Sequence, residues 1–78
     1  MREKIDILYD MMLACNGQRM THICETVNIN QTRFKELMPI LIKNGSVVCH
    51  NQKYSITPAG REITKEIQNL QNKINGKT

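Results

Sequence analysis

Three residues, Asn28-Ile29-Asn30, separate two segments whose apolar residues recur at helical spacing. Upstream, Met20, Ile23, Cys24 and Val27 fall on one helix face; downstream, Phe34, Leu37, Met38 and Leu41 do the same. So short a link cannot join two domains. It reads as a tight turn in which Asn28 ends one helix, Ile29 plugs the core and Asn30 caps the next helix. The rest of the chain must pack around this joint.

The flanking segments are read by the same rules. A first helix is expected over about Glu3 to Cys15, with Ile5, Leu8, Tyr9 and Met12 as its apolar stripe and Asn16-Gly17 as its stop. Ile7 and Met11 widen that stripe; they either cover a partner subunit or complete a broad core face. Thr21 is expected to cap the second helix. The third should run from Gln31 to Asn44, kinked or split at Pro39, where a backbone hydrogen bond is lost. Then the rhythm changes. Ser46–His50 and Lys53–Thr57 read as two strands joined by Asn51-Gln52, with Tyr54 and Ile56 sharing a face. Such a hairpin is barely stable alone and must lean on the helices.

Thr57-Pro58 opens a last helix, threonine as cap and proline at the first helical position. Ile63, Ile67, Leu70 and Ile74 follow at spacings of four, three and four, which is a coiled-coil seam among polar residues. Asn75-Gly76 should end it. The expected organisation is therefore a body over residues 1–57 and a C-terminal helix over 58–78. The class is α+β, mostly helical.

At 78 residues the chain holds one small core, marginal enough that a partner subunit would help it. Only three residues are aromatic, Tyr9, Phe34 and Tyr54, so aliphatic side chains and methionine must fill that core. The net charge of +4 favours a polyanionic partner, although a merely soluble surface gives the same balance. No stretch reaches the ~20 apolar residues that span a bilayer, and the start is not a signal-peptide core. The three cysteines, Cys15, Cys24 and Cys49, are odd in number and in apolar settings, and read as buried, reduced thiols of a cytoplasmic protein.

An enzyme is not expected: the chain has no nucleophile motif, phosphate loop or paired carboxylates. His22-x-Cys24 and Cys49-His50 lack the CxxC spacing of a structural zinc site, so neither metal nor cofactor is expected.

Helix, helix, tight turn, helix, hairpin, helix is the layout of a winged helix. The chain resembles the small archaeal winged helix-turn-helix proteins regarded as transcription regulators. These include a chromatin-associated coiled-coil group that dimerises through a long C-terminal helix. The resemblance spans about Ile5 to Ile74. It rests on Thr21-His22-Ile23-Cys24, the Asn28-Ile29-Asn30 turn, Phe34-Lys35-Glu36-Leu37, and Asn44-Gly45-Ser46-Val47-Val48. Its most specific piece is Tyr54-Ser55-Ile56-Thr57-Pro58-Ala59-Gly60-Arg61-Glu62-Ile63. Three departures stand out: Pro39 replaces a helix former, Ser46 replaces an apolar residue, and the last helix is short for the coiled-coil group. The resemblance implies double-stranded DNA as partner, the third helix in the major groove and the hairpin against the backbone or minor groove.

The residues themselves agree. Gln31, Thr32, Arg33, Lys35 and Glu36 form the exposed start of the third helix, beside the capping Asn30. Glutamine pairs with adenine, arginine with guanine, and glutamate accepts from cytosine. Arg19, Lys43, His50 and Lys53 are placed to touch phosphates and so to position the protein, not to read sequence. The seam Ile63, Ile67, Leu70 and Ile74, aided by Ile7 and Met11, is expected to pair with a second copy, its far end overhanging so small a body. The alternative use of such a fold is protein contact, as an adaptor in a transcription or replication assembly. Glu36 and Pro39 suit that use more easily.

Overall fold

The computed structural model describes residues 3–74, with side chains from Glu3 to Asn72. The elements are α1 (Lys4–Ala14), β1 (Asn16–Gln18), α2 (Met20–Val27), α3 (Gln31–Lys43), β2 (Val47–His50), β3 (Lys53–Ile56) and α4 (Pro58–Ile74). The expected order is present, with β1 in addition. The end expected at Asn75-Gly76 lies outside the described residues.

The turn between α2 and α3 is built as its asparagines dictate. Asn28 takes the left-handed conformation (φ 65°) and closes α2. Asn30 is extended, and its Oδ1 accepts from the Arg33 N–H at 2.7 Å. Ile29 between them is half-buried against the core. The cap of α2 lies two residues earlier than expected, at Arg19, with no side-chain capping bond; Thr21 does not cap it.

α3 is unbroken through Pro39, so the helix is not split there. Proline removes the N–H that would reach the Lys35 carbonyl, but Pro39 lies on the exposed face, where water can satisfy that oxygen. Past the cap residue Asn44, Gly45 terminates α3: its φ of +74° lets Gly45 N–H reach the Ile42 carbonyl and Ser46 N–H reach that of Leu41.

β2 and β3 pair antiparallel through a two-residue turn. Asn51 (φ 53°) and Gln52 (φ 64°) both adopt left-handed geometry, which matches the twist of a tight hairpin. β1 adds on the other side of β3, giving the order β1-β3-β2. The Cys15 carbonyl just before β1 accepts from the Ile56 N–H at 3.0 Å, so the end of α1 is tied to the sheet.

One core lies between the helices and the sheet. Met11, Ile23, Leu37 and Val47 are among its fully buried members, with Phe34, Met38 and Leu41 beside them. α1 presents a different face from the one expected: Ile7, Met11 and Met12 are buried, whereas Ile5 is 53% exposed. Ile7 and Met11 are thus taken up by the chain's own core, which removes them from any surface offered to a partner. Of the cysteines, Cys15 and Cys24 are buried as expected, but Cys49 is exposed, because β2 is an edge strand.

The start of α4 is locked to the rest. The Thr57 hydroxyl donates to the Gly45 carbonyl at 2.6 Å and accepts from the Gly60 N–H at 3.0 Å. Thr57 N–H donates to the Ser46 carbonyl. Gly60 lies directly on this joint: a Cβ there would collide with the Ser46 carbonyl and stand 2.8 Å from Ile56 Cγ1. The Thr-x-x-Gly spacing is therefore a packing requirement. Ser46 is buried beneath the helix, at the position where an apolar residue was the usual choice.

Candidate nucleic-acid interface

α3 has two faces of opposite character. Phe34, Leu37, Met38 and Leu41 face inward, each 3% exposed or less. Thr32, Glu36, Pro39 and Lys43, at spacings of four, three and four, form the opposite ridge, and all are exposed. Gln31 and Lys35 are exposed on one flank, and Arg33 lies on the other. Among the described residues, none covers this surface. α3 carries three cations, Arg33, Lys35 and Lys43, against the single carboxylate Glu36. By contrast, α1 and its cap carry Glu3, Asp6 and Asp10 against Lys4, while α2 and its cap balance Glu25 with Arg19. Charge is therefore segregated, with the acidic excess on α1 and the basic excess on α3.

Four of the expected contact residues, Arg33, Glu36, Asn30 and Arg19, already have partners within the chain. Arg33 Nη1 donates to Glu36 Oε1 at 3.1 Å, an i,i+3 pair on the outer face. Asn30 spends its side-chain oxygen on the α3 cap. Gln31, Thr32, Lys35 and Lys43 stand exposed along the helix.

The wing tip lies beside the start of α2. His50 and Lys53 face each other across the hairpin next to the turn, and both are exposed. Arg19 Nη1 donates to Gln52 Oε1 at 3.3 Å, bridging the start of α2 to the turn. Arg19, Met20, Thr21, Gln52 and Tyr54 line an open cavity of about 260 Å³ between the two elements. Gln52 was legible only as a turn residue; its bond to Arg19 joins positions 33 apart, a contact that no local spacing signals.

Tyr54 anchors the wing. Its ring meets Phe34 edge-to-face, with centroids 5.3 Å apart. Its hydroxyl pKa is raised by burial, then by the charge and hydrogen bond of Cys49 and the charge of Cys15. Burial pushes the Cys15 thiol up to about 11 and raises that of Cys24. Raised values leave the thiol protonated and unreactive at neutral pH, as suits core residues. Among the described residues, no three His, Cys, Asp or Glu side chains gather as a metal site.

The seam of α4 divides. Ile63 and Ile67 are half-buried and pack against the chain's own core. Leu70 is 58% exposed. The side chain of Ile74 lies outside those described. Among the described residues, no helix is long and apolar enough to cross a membrane.

Two helices joined by a three-residue turn, the second followed by a hairpin resting on its base, define a helix-turn-helix body with a wing. The winged helix-turn-helix family model matches residues 1–75, and the chain belongs to that family. Among solved structures, it is similar to Sso10a-2, a DNA-binding protein from Sulfolobus solfataricus. That likeness has a TM-score of 0.73 at 20% identity and covers 96% of this chain and 87% of the other. No curated protein matches the sequence.

Proposed function

We propose that this chain binds double-stranded DNA as a homodimer and acts in transcription regulation in the cytoplasm. In this reading α3 enters the major groove and the β2–β3 hairpin lies against the backbone or minor groove. The observation that carries it is the outer face of α3, exposed and holding three cations to one carboxylate, together with the exposed Lys53 of the wing and Arg19 at the start of α2. The DNA-binding character of Sso10a-2, which shares the fold, supports the same reading. Lys35, Lys43, Lys53, His50 and Arg19 supply phosphate contacts; Gln31, Thr32 and Arg33 supply base contacts. The cap role of Asn30 makes it a brace for the reading end of α3.

The homodimer reading rests on α4, whose apolar seam is covered only in part and leaves Leu70 in solvent. Ile63 and Ile67 contribute only what the core leaves uncovered.

Binding to random duplex DNA, measured as salt rises, tests the main claim. The logarithm of affinity should fall against the logarithm of salt with a slope of about −0.9 per phosphate contacted. Lys35→Glu and Lys53→Glu should each weaken binding. If both variants bind as the parent does, the interface lies elsewhere and use as a protein adaptor gains ground. For the dimer, light scattering at micromolar concentration should give twice the 9.0 kDa chain mass; a value near 9.0 kDa removes it.

A further inference from the structure

Glu36 occupies an unfavourable place for a protein that merely coats a polyanion. It lies mid-ridge on α3, between Thr32 on one side and Pro39 and Lys43 on the other. A carboxylate there faces phosphate walls on either side of a groove and is repelled by both. Its stabilising return within the chain is small, because the bond to Arg33 joins side chains that are 58% and 41% exposed. A charge that weakens general binding and adds little to folding needs another role.

The pair geometry supplies one. Arg33 and Glu36 are one helical turn apart and already joined at 3.1 Å. That bond uses one nitrogen of a guanidinium that has five N–H donors, so the group can still fork onto guanine O6 and N7. Glu36 can accept from the N4 amino group of cytosine, the one base whose major-groove edge offers a donor and no acceptor. The two side chains thus match the two halves of a G·C pair, or neighbouring guanine and cytosine bases. Only there is the repulsion of Glu36 offset, and only there is Arg33 held ready without searching rotamers.

We infer that Glu36 is a specificity-determining residue: with Arg33 it makes α3 a reader of G·C in the major groove and penalises duplexes that lack it. This rests on the DNA-binding reading above. Lys35 and Lys43 then give affinity, while the ion pair gives selectivity.

The test is selection from a randomised duplex library, sequenced after binding to the parent and to Glu36→Gln, alongside titration of each with random duplex. Glu36→Gln keeps the shape and removes the charge, and at an exposed position its melting temperature should match the parent's. The parent should enrich G·C at a fixed position by about fivefold or more. Glu36→Gln should bind random duplex more tightly and lose that enrichment. If the parent binds duplex without base preference, or both proteins enrich the same motif equally, the inference is wrong while DNA binding stands. If neither protein binds duplex at low salt, the DNA-binding reading fails and carries this one with it.

Discussion

α3 and α4 are both amphipathic, yet they use their apolar stripes differently. α3 buries its whole stripe: Phe34, Leu37, Met38 and Leu41 are all nearly inaccessible. Its polar face is then free to be the working surface. α4 starts in the same way, with Gly60 and Thr64 buried and Ile63 and Ile67 half-covered, but Leu70 is exposed while the next residue, Gln71, is still half-covered. Its apolar stripe is covered only in part, so hydrocarbon remains on offer. A helix whose stripe is satisfied at home presents its polar face to a ligand. One whose stripe is left half-covered presents hydrocarbon.

The sharpest test of that contrast is truncation. Phe34→Ala empties the base of α3 and its edge-to-face contact with Tyr54, and should cost about 3–5 kcal/mol in chemical denaturation. A loss under about 1 kcal/mol would mean that α3 is not anchored as described. Next comes the root of α4. Gly60→Ala forces a methyl against the Ser46 carbonyl and should cost about 2–3 kcal/mol. An unchanged melting midpoint would show that α4 is not locked there.

The shared core can also be loosened by alkali. Cys15 titrates at about 11 in the folded chain against an ordinary 9.0. Its stabilising effect is full below pH 9 and declines as pH rises toward 11, because the unfolded thiol ionises first and the unfolded state is favoured. Denaturation between those values should show a loss of about 2 kcal/mol that Cys15→Ala lacks. An identical pH profile in both proteins would remove this account.

The caps come next. Thr57→Val breaks two bonds at the start of α4, and Asn30→Ala breaks one at the start of α3. Each should cost about 1 kcal/mol, the threonine more than the asparagine; the reverse order would contradict the contrast drawn here. The smallest stability effect belongs to Leu70→Lys, within about 0.5 kcal/mol. Its effect should appear instead in mass, converting the proposed dimer to a single chain at micromolar concentration. Dimers that persist would place the pairing surface elsewhere.

Much of this architecture was legible in the residues. α3 could be placed because its asparagine cap, its apolar spacing and its glycine stop all agree. The α4 start was legible for the same reason. The face of α1 was not, because Ile5, Ile7, Leu8, Tyr9, Met11, Met12 and Leu13 leave little polar contrast to choose between. Tertiary packing selected Ile7 and Met11 over Ile5. β1 carries no signal of its own: Asn16-Gly17-Gln18 lacks apolar alternation and is a strand only because β3 lies alongside. Cys49 looked like a core residue because its neighbours are valines, but an edge strand near a turn leaves it in solvent. At the interface, charge and helix face could be read in advance. The bonds Arg33–Glu36 and Arg19–Gln52 needed coordinates, since rotamers, not spacing, decide them.

The contact of Gly60 with Ser46 has a geometric consequence. With no hinge at its root, α4 is a lever arm whose bearing relative to α3 is fixed. Each residue along it advances about 1.5 Å and turns about 100°. In a paired molecule, the gap between the two α3 helices is therefore dictated by helical arithmetic instead of linker slack. Inserting a single residue into α4 beyond Ile67 would re-aim one copy against the other, changing which spacing of half-sites on a duplex both can occupy at once.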